Sequence, residues 1–262
     1  MTTTDDVLAL AASAVPSDQA EADLAQFAAA AARGMNSPVV QALRTLRPEY
    51  AGPAALPESA AWHAWLSATA AIAGIADGAR TDSARTVGSR ETASDPTALF
   101  VVCAAATALG GDGPASHGGD GPASHGGDSL ASHGGDSPAS VGDECSAAVD
   151  AGARAAALVE SRLAGLADPA GWSLPAVSAV IGAGLAAGLM LRLTPGRLRH
   201  ALGICATQAA GLRAAAGTDV GPLQAGKAAF NAVEAGQLAR LGFTSSGDPL
   251  DGRRALFALF AG

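Results

Sequence analysis

Apolar positions recur along most of the chain with the three-to-four-residue spacing of amphipathic helices, and proline, glycine and aspartate mark the breaks. Ser17 and the pairs Ser37-Pro38, Asp95-Pro96 and Thr194-Pro195 are typical helix starts, because short polar side chains cap free amides and proline fits the first turn. The pattern predicts helices over 5–14, 19–34, 37–46, 58–74, 95–109, 144–166, 175–193, 194–212, 225–241 and 251–260. It predicts loops over 50–57, 81–94 and 217–221.

The region 111–142 departs from this pattern, because it consists of four tandem octads that read GDGPASHG, GDGPASHG, GDSLASHG and GDSPASVG. Their Gly, Pro, Ser and Asp residues cannot bury enough apolar surface to offset the loss of chain entropy. We expect a disordered insertion between two segments of one helical domain, 1–110 and 143–262. The histidines and aspartates of the octads invite a metal-binding interpretation, but a floppy chain does not preorganise ligands, so we predict no metal site.

Composition narrows the fold class. Hydrophobic residues make up 49% of the 262 residues and aromatic residues 4%. Ala and Leu, both strong helix formers, supply most of the apolar surface, whereas β-branched runs are short and isolated. The chain is long enough to bury one good core. We therefore predict an all-α fold.

Charge and hydropathy restrict the partners. The formal net charge is −8, and the Lys and Arg residues form no basic block, so nucleic acid and anionic membranes are disfavoured as partners. The most apolar window, 177–193, is short and contains Gly182, Gly184 and Gly188, which favours a buried helix over a membrane span. No export signal is evident at the N-terminus, so we expect a cytoplasmic protein.

The three cysteines do not suggest a disulfide or a metal centre. Cys103 and Cys205 lie in apolar helical runs, where a buried, inert thiol is the favoured interpretation, and no C-x-x-C spacing includes Cys145. The sequence contains no nucleotide-binding loop, zinc-ligand spacing, nucleophile elbow or haem motif. We therefore expect no cofactor.

Four motifs in the second half of the chain follow one another in a recognisable order. They are Gly171-Trp172-Ser173, RLRHALGICATQAAGLR at 197–213, GTDVGPLQAGKAAFN at 217–231 and DGRRALFALFAG at 251–262. In this order they resemble the MmgE/PrpD family, which includes 2-methylcitrate dehydratases, cis-aconitate decarboxylases and iminodisuccinate epimerases. The resemblance implies a helical domain built from two chain segments and followed by a smaller α+β lid. The chain stops where that lid would begin, so we expect the helical domain alone.

The resemblance also shows where catalytic groups of the family are replaced. Ser173 stands where the family has the histidine of a Gly-aromatic-His triplet. In the loop Gly-Thr-x-x-Lys-Pro-x-His-x-Gly, Gly221 replaces the lysine and Gln224 replaces the histidine. Asp95 precedes Pro96 where the family has a histidine, and Asp82 remains from an Asp-rich segment. Ser, Gly and Gln cannot supply the acid, base and cation that reactions of polycarboxylates need.

The polar residues that remain at these positions are the site candidates. The predicted catalytic residues are Asp95, Asp219 and Lys227, and the predicted substrate-binding residues are Asp82, Ser173, Gln224 and Thr218. A buried carboxylate among them could have a raised pKa and act as a general base. Each catalytic candidate also has a structural interpretation: Asp95 as a helix N-cap, Asp219 as a turn residue and Lys227 as a solvated lysine.

Two hypotheses about function follow. The first is a divergent MmgE/PrpD-like lyase or isomerase that moves protons on a small carbonyl- or carboxyl-activated substrate, by elimination, isomerisation or cyclisation. The second is a non-catalytic dimeric scaffold, or a subunit that completes a separate chain carrying the lid. In both cases the resemblance implies a homodimer.

Overall fold

The computed structural model describes residues 2–51, 59–82, 95–110, 140–166 and 171–261, and it describes side chains for all of these except 47–51 and 76–82. This part of the chain folds into α-helices joined by short links, with two 3₁₀ turns at Arg213–Ala215 and Phe257–Leu259. The helices are α1 (Thr3–Ala12), α2 (Asp18–Gly34), α3 (Pro38–Ala51), α4 (Ala60–Asp82), α5 (Thr97–Gly110), α6 (Val141–Ala164), α7 (Leu174–Met190), α8 (Pro195–Gln208) and α9 (Val220–Arg240). The prediction of an all-α fold is confirmed.

Side-chain caps explain where several helices begin. The hydroxyl of Ser17 accepts a hydrogen bond from the amide of Ala20, as predicted for the start of α2. Ser140 and Asp143 form a reciprocal capping box at α6, so this helix begins inside the fourth octad. The remaining octad residues, 111–139, lie outside the described part of the chain.

The core is centred on α7, in which every residue from Ala176 to Gly188 is buried. Helices α5 and α6, from the two sides of the octad region, both pack on α7, and α4 packs along α9. The two predicted segments therefore share one core. Among the described residues, no helix is long and apolar enough to span a membrane, and the prediction of a buried helix at the apolar window is confirmed.

Glycine allows two helix pairs to approach closely. A Cβ atom on Gly34 of α2 would collide with the backbone of Ala70 of α4, and one on Gly74 of α4 would collide with the carbonyl of Ala30 of α2. Gly152 and Gly182 stand in the same relation where α6 crosses α7. These contacts set the short spacing between helices that an Ala-rich core needs.

Several predicted boundaries are wrong. The segment 251–260 is a series of turns with a single 3₁₀ turn, because Asp248 and Asp251 bond to Thr4 and Thr3 at the start of α1. The side chains of Leu256, Phe257 and Phe260 enter the core, whereas Leu259 is exposed. Helix α8 ends at Gln208, before the predicted residue 212, because Leu212 is extended and forms a bridge with Trp172. Helix α9 begins at Val220 rather than 225, with Pro222 in its first turn, where a missing amide costs nothing.

Two predicted loops are partly helical. Tyr50 and Ala51 belong to α3, and Thr81 and Asp82 belong to α4. Both helices therefore extend beyond the predicted ends at 46 and 74. The rest of these loops, 52–57 and 83–94, lies outside the described residues.

Candidate active site

The described residues line a cavity of about 1030 Å³, open to solvent, where the N-terminal ends of α3, α5, α7 and α9 come together. The side of α6 and the residues Ile72 and Ala73 of α4 complete its wall. The polar and charged residues of the lining are Ser37, Asp95, Thr97, Glu160, Ser173, Arg213, Thr218, Asp219 and Gln224. Five of the seven predicted site residues therefore line one cavity.

Local sequence signals explain where these four helices begin. Prolines stand at or next to the first turn of all four helices, as Pro38, Pro96, Pro175 and Pro222, and proline stabilises a helix start. Amide groups at helix N-termini have no partner within the helix and carry a partial positive charge. The cavity thus receives four helix ends that can stabilise negative charge.

Asp95 combines a structural role with a place in the cavity. Its Oδ1 atom accepts a hydrogen bond of 2.9 Å from the amide of Thr97, so the predicted cap at the start of α5 is present. The side chain is otherwise exposed. One carboxylate therefore both holds the helix end and presents negative charge to the cavity.

Glu160 of α6 was not among the sequence candidates. Its carboxyl is half-buried, and its Oε2 atom accepts a hydrogen bond of 3.3 Å from the hydroxyl of Ser178. Burial raises the pKa of Glu160 above its ordinary value, the nearby charge of Asp95 adds to the rise, and the Ser178 hydrogen bond opposes it. A signal was present in the sequence: Glu160 lies four residues after Ala156 and three before Leu163, on the apolar face of α6.

A short backbone pairing forms the wall beside α7. Trp172 and Leu212 form an isolated antiparallel bridge, in which the amide of Ser173 donates to Gly211 and the amide of Arg213 donates to Gly171. Gly211 has a φ of 154° and its missing Cβ leaves room for Ala176. This pairing places Ser173 and Arg213 next to each other on the cavity wall.

Gln224 and Thr218 line the cavity, but their polar atoms are engaged with the backbone. The amide side chain of Gln224 accepts from the Leu212 nitrogen at 2.6 Å and donates to the Leu212 oxygen at 3.4 Å. The Thr218 hydroxyl donates to the carbonyl of Ala215 and accepts from the amide of Val220. Both residues therefore hold the loop between α8 and α9 in place.

The side chains of Asp219 and Ser173 form no capping hydrogen bond, although both residues stand at helix N-caps. Asp219 stands at the N-cap of α9 without a side-chain capping bond, and Ser173 stands in the same position on α7. Asp219 is exposed, whereas Ser173 is partly buried. Both were predicted as site residues, and both line the cavity.

The other two predicted site residues, Lys227 and Asp82, are not placed in the described lining of the cavity. Lys227 is absent from the cavity lining that the described residues form. Its Nζ atom lies 3.9 Å from the ring centroid of Phe230 and 4.8 Å from that of Trp65, and burial lowers its pKa while Glu234 opposes the shift. Asp82 is the last residue of α4, and its side chain is outside the described part.

Ser37, at the start of α3, was also missed as a site residue. Its side chain is only 7% exposed, and its hydroxyl has no hydrogen-bond partner among the residues that the structure describes. A buried polar group without a partner is rare in folded proteins, because leaving it unsatisfied costs about 1–3 kcal/mol. Ser37 also belongs to the cavity lining, but its hydroxyl oxygen is closed off from solvent, so a bound molecule would reach it only after a small shift of the wall.

The cysteines are not nucleophile candidates. All three described cysteines are buried, in agreement with the prediction for Cys103 and Cys205. Burial raises the pKa of Cys205 to about 12 and raises the pKa values of Cys103 and Cys145 as well. A thiol with a raised pKa carries little of the reactive thiolate.

The family profile of the MmgE/PrpD N-terminal domain matches residues 18–262. This match covers most of the chain. The chain belongs to the MmgE/PrpD family. No curated protein is significantly similar to it.

Membership of the MmgE/PrpD family agrees with the site that the fold assembles. The Gly171-Trp172-Ser173 triplet and the 217–226 loop carried much of the sequence resemblance, and residues of both line the same cavity. The positions at which the resemblance predicts replaced catalytic groups, Ser173, Gly221 and Gln224, also lie in that lining. The predicted replacements therefore concern the cavity itself.

Proposed function

We propose that this MmgE/PrpD chain is a lyase or isomerase that transfers protons on a small carbonyl- or carboxyl-activated substrate. One observation carries the proposal: Glu160, a half-buried carboxyl group with a raised pKa, lines a cavity of about 1030 Å³ together with Asp95. Carboxyl groups with environment-shifted pKa values are common at catalytic sites. A cavity of this size also suits a small molecule.

Glu160 is the proposed general base. A base works best when its pKa lies near the working pH, and burial moves the pKa of Glu160 upward from 4.5 in that direction. In the proposed step, the ionised carboxylate takes a proton from the carbon next to the substrate carbonyl. The protonated carboxyl then returns this proton to another substrate atom, in an isomerisation, or to the leaving group, in an elimination.

The negative charge that develops on the substrate oxygen also needs stabilisation. Arg213 is the basic residue of the described lining, and the ends of α3 and α7 add the partial positive charge of their free amides. These groups would take over the role that histidine and lysine have in the resembling family motifs. Asp95 and Asp219 remain candidates for moving a second proton.

The test is deuterium incorporation in D₂O. The purified chain is incubated with enolisable di- and tricarboxylates, keto acids and amino acids, and mass spectrometry measures deuterium wash-in and product. We expect exchange with at least one compound, and we expect Glu160→Gln to reduce its rate by about 10²–10⁴-fold, the range of general acid–base catalysis.

Glu21→Gln is the matched control, because Glu21 is exposed on α2, is absent from the cavity lining, and loses the same charge. Full activity in Glu160→Gln would contradict the assignment of the base. Absence of exchange with every compound would contradict the enzyme proposal and favour the alternative of a dimeric scaffold.

A further inference from the structure

The described lining of the cavity contains both acidic side chains and electropositive groups. The described lining contains three carboxylates, Asp95, Glu160 and Asp219, and one basic side chain, Arg213. Free helix ends contribute at most about half a positive charge each. At two of the four ends this contribution meets a carboxylate, because Asp95 bonds to the first amide of α5 and Asp219 stands at the N-cap of α9.

These charges do not suit a ligand whose ionised groups are all negative. A di- or tricarboxylate would bring two or three negative charges into a space where acidic side chains outnumber the basic one. A neighbouring charge of the same sign disfavours ionised groups, as the effect of Asp95 on the pKa of Glu160 already shows. An ammonium group, by contrast, is attracted to the carboxylates, and Arg213 remains for a carboxylate.

Ser37 is a second, independent observation at the cavity. Its hydroxyl is buried and has no partner within the described residues, so a small shift of the wall would bring it to a polar ligand. A hydroxyl can donate to a carboxylate oxygen or accept from an ammonium group. Either bond would remove the cost of the unsatisfied group.

We infer that the cavity takes a small zwitterion, an amino acid or a related amine that bears both an ammonium group and a carboxylate. The ammonium group binds at the acidic side chains, with Asp95 as its principal partner, and the carboxylate binds at Arg213. This inference names the substrate class of the proposed enzyme. It rests on the proposed function only where it takes the bound molecule to be a substrate, because binding itself can be measured without turnover.

The experiment compares ligands that differ only in the group to be recognised. Isothermal titration of the full chain is carried out with L-aspartate against L-malate, and with β-alanine against 3-hydroxypropionate, so that an ammonium group replaces a hydroxyl on the same skeleton. We expect each amine to bind at least about tenfold more tightly than its hydroxyl analogue, a difference of about 1.4 kcal/mol.

Asp95→Asn is the decisive variant. Asparagine retains an oxygen that can accept from the Thr97 amide, so the start of α5 is kept while the charge is lost. We expect Asp95→Asn to abolish the preference for the amine, whereas the surface control Glu21→Gln retains it. Ser37→Ala should weaken binding of the amine by about three- to tenfold without lowering the melting temperature, because no internal hydrogen bond is lost.

Three results would overturn the inference: equal or tighter binding of the hydroxyl compounds, an amine preference that survives Asp95→Asn, or no binding of either amine at millimolar concentration. The outcome is separable from that of the proposed function. Deuterium exchange on a dicarboxylate, with no binding preference for amines, would support the proposed enzyme activity and contradict the zwitterion inference. Amine binding without any deuterium exchange would support the zwitterion inference and contradict the proposed enzyme activity.

Discussion

At the scale of single residues, two side chains of the same length show what makes a polar group available for chemistry. The amide of Gln224 is used on both sides by the backbone of Leu212. The carboxyl of Glu160 has one hydrogen bond, from Ser178, among the described residues, and it lies half-buried against the cavity. Gln224 therefore shapes the wall, whereas Glu160 is the residue proposed to react.

The raised pKa of Glu160 predicts a gain in stability when its charge is removed. Ionisation favours the unfolded chain, because the carboxyl loses its proton at lower pH there than in the fold. The cost is absent below the ordinary pKa of 4.5, grows with pH between this value and the raised pKa of the folded state, and is constant above the raised pKa. We expect Glu160→Gln to raise the melting temperature by about 1–2 °C at pH 7, since partial exposure screens the effect.

Differential scanning fluorimetry between pH 4 and pH 8 measures this difference. The gain should shrink towards zero as the pH falls to 4, and Glu21→Gln is the control for the loss of a carboxyl charge away from the cavity. A Glu160→Gln variant that is less stable at pH 7 would mean that the hydrogen bond from Ser178 outweighs burial.

Sequence reasoning reached the cavity residues by two routes. Asp95 directly precedes Pro96, a helix-start pattern that is readable without a fold, whereas Ser173 and Gln224 were chosen because of the family resemblance. Glu160 was missed because its raised pKa and its place in the cavity depend on burial and on Ser178 and Asp95. Only the packing of α5, α6 and α7 brings these residues together. Lys227 was assigned to the site from its position after the loop, yet the contact between α4 and α9 places it on Trp65.

At the scale of elements, most helix starts were predictable and some ends were not. Ser17 caps α2 by accepting a hydrogen bond from the amide of Ala20, three residues later, which is a local interaction. The last segment was predicted as a helix because its apolar residues have helical spacing. There, however, Asp248 and Asp251 are tied to α1, almost 250 residues away along the chain, and this long-range contact overrides the local pattern.

The crossing of α2 and α4 predicts a sensitive position. We expect Gly74→Ala to lower the free energy of unfolding by about 1–3 kcal/mol, because the new methyl group would collide with the Ala30 carbonyl. Chemical denaturation with urea measures the change. Gly196→Ala in α8 is the control, since nothing lies within 4 Å of its Cβ position, and alanine there should add about 0.5–1 kcal/mol. Equal stability of the two variants would contradict the close crossing.

The attachment of α1 to α8 predicts a dependence on acid. Asp5 accepts a hydrogen bond of 2.7 Å from Arg199, and this bond, with those from Thr2, lowers the pKa of Asp5 to about 2. A lowered pKa means that the stabilisation is complete above the ordinary value of 3.8 and disappears as the pH falls through about 2. Asp5→Asn should lower the melting temperature slightly at pH 7, by roughly 1–3 °C, and by less at pH 3. An equal loss at both pH values would exclude this ion pair as the cause.

At the scale of the molecule, the cavity depends on the whole chain. Its lining begins at Ser37 and ends at Ala225, with contributions from both sides of the octad region. Neither segment contains the set of charged groups by itself. The helical fold and the family could be predicted from the sequence, because both are encoded in many positions, whereas the arrangement of charges in the cavity could not.

The homodimer implied by the family resemblance stays a prediction. Exposed apolar side chains, including Leu241 and Phe243 beyond α9, are compatible with further burial. We expect multi-angle light scattering to give twice the chain mass of 25.4 kDa at micromolar concentration. A single chain mass under these conditions would contradict it.

The bridge between Trp172 and Leu212 has an optical consequence. Trp172 lines the cavity, is 38% exposed and contacts Phe260, whereas Trp62 and Trp65 pack edge to face against each other. A ligand that displaces water from the indole of Trp172 would shift its emission to shorter wavelength, while the other two tryptophans supply a constant background. The protein therefore carries its own fluorescent reporter of occupancy, and Trp172→Phe would silence it.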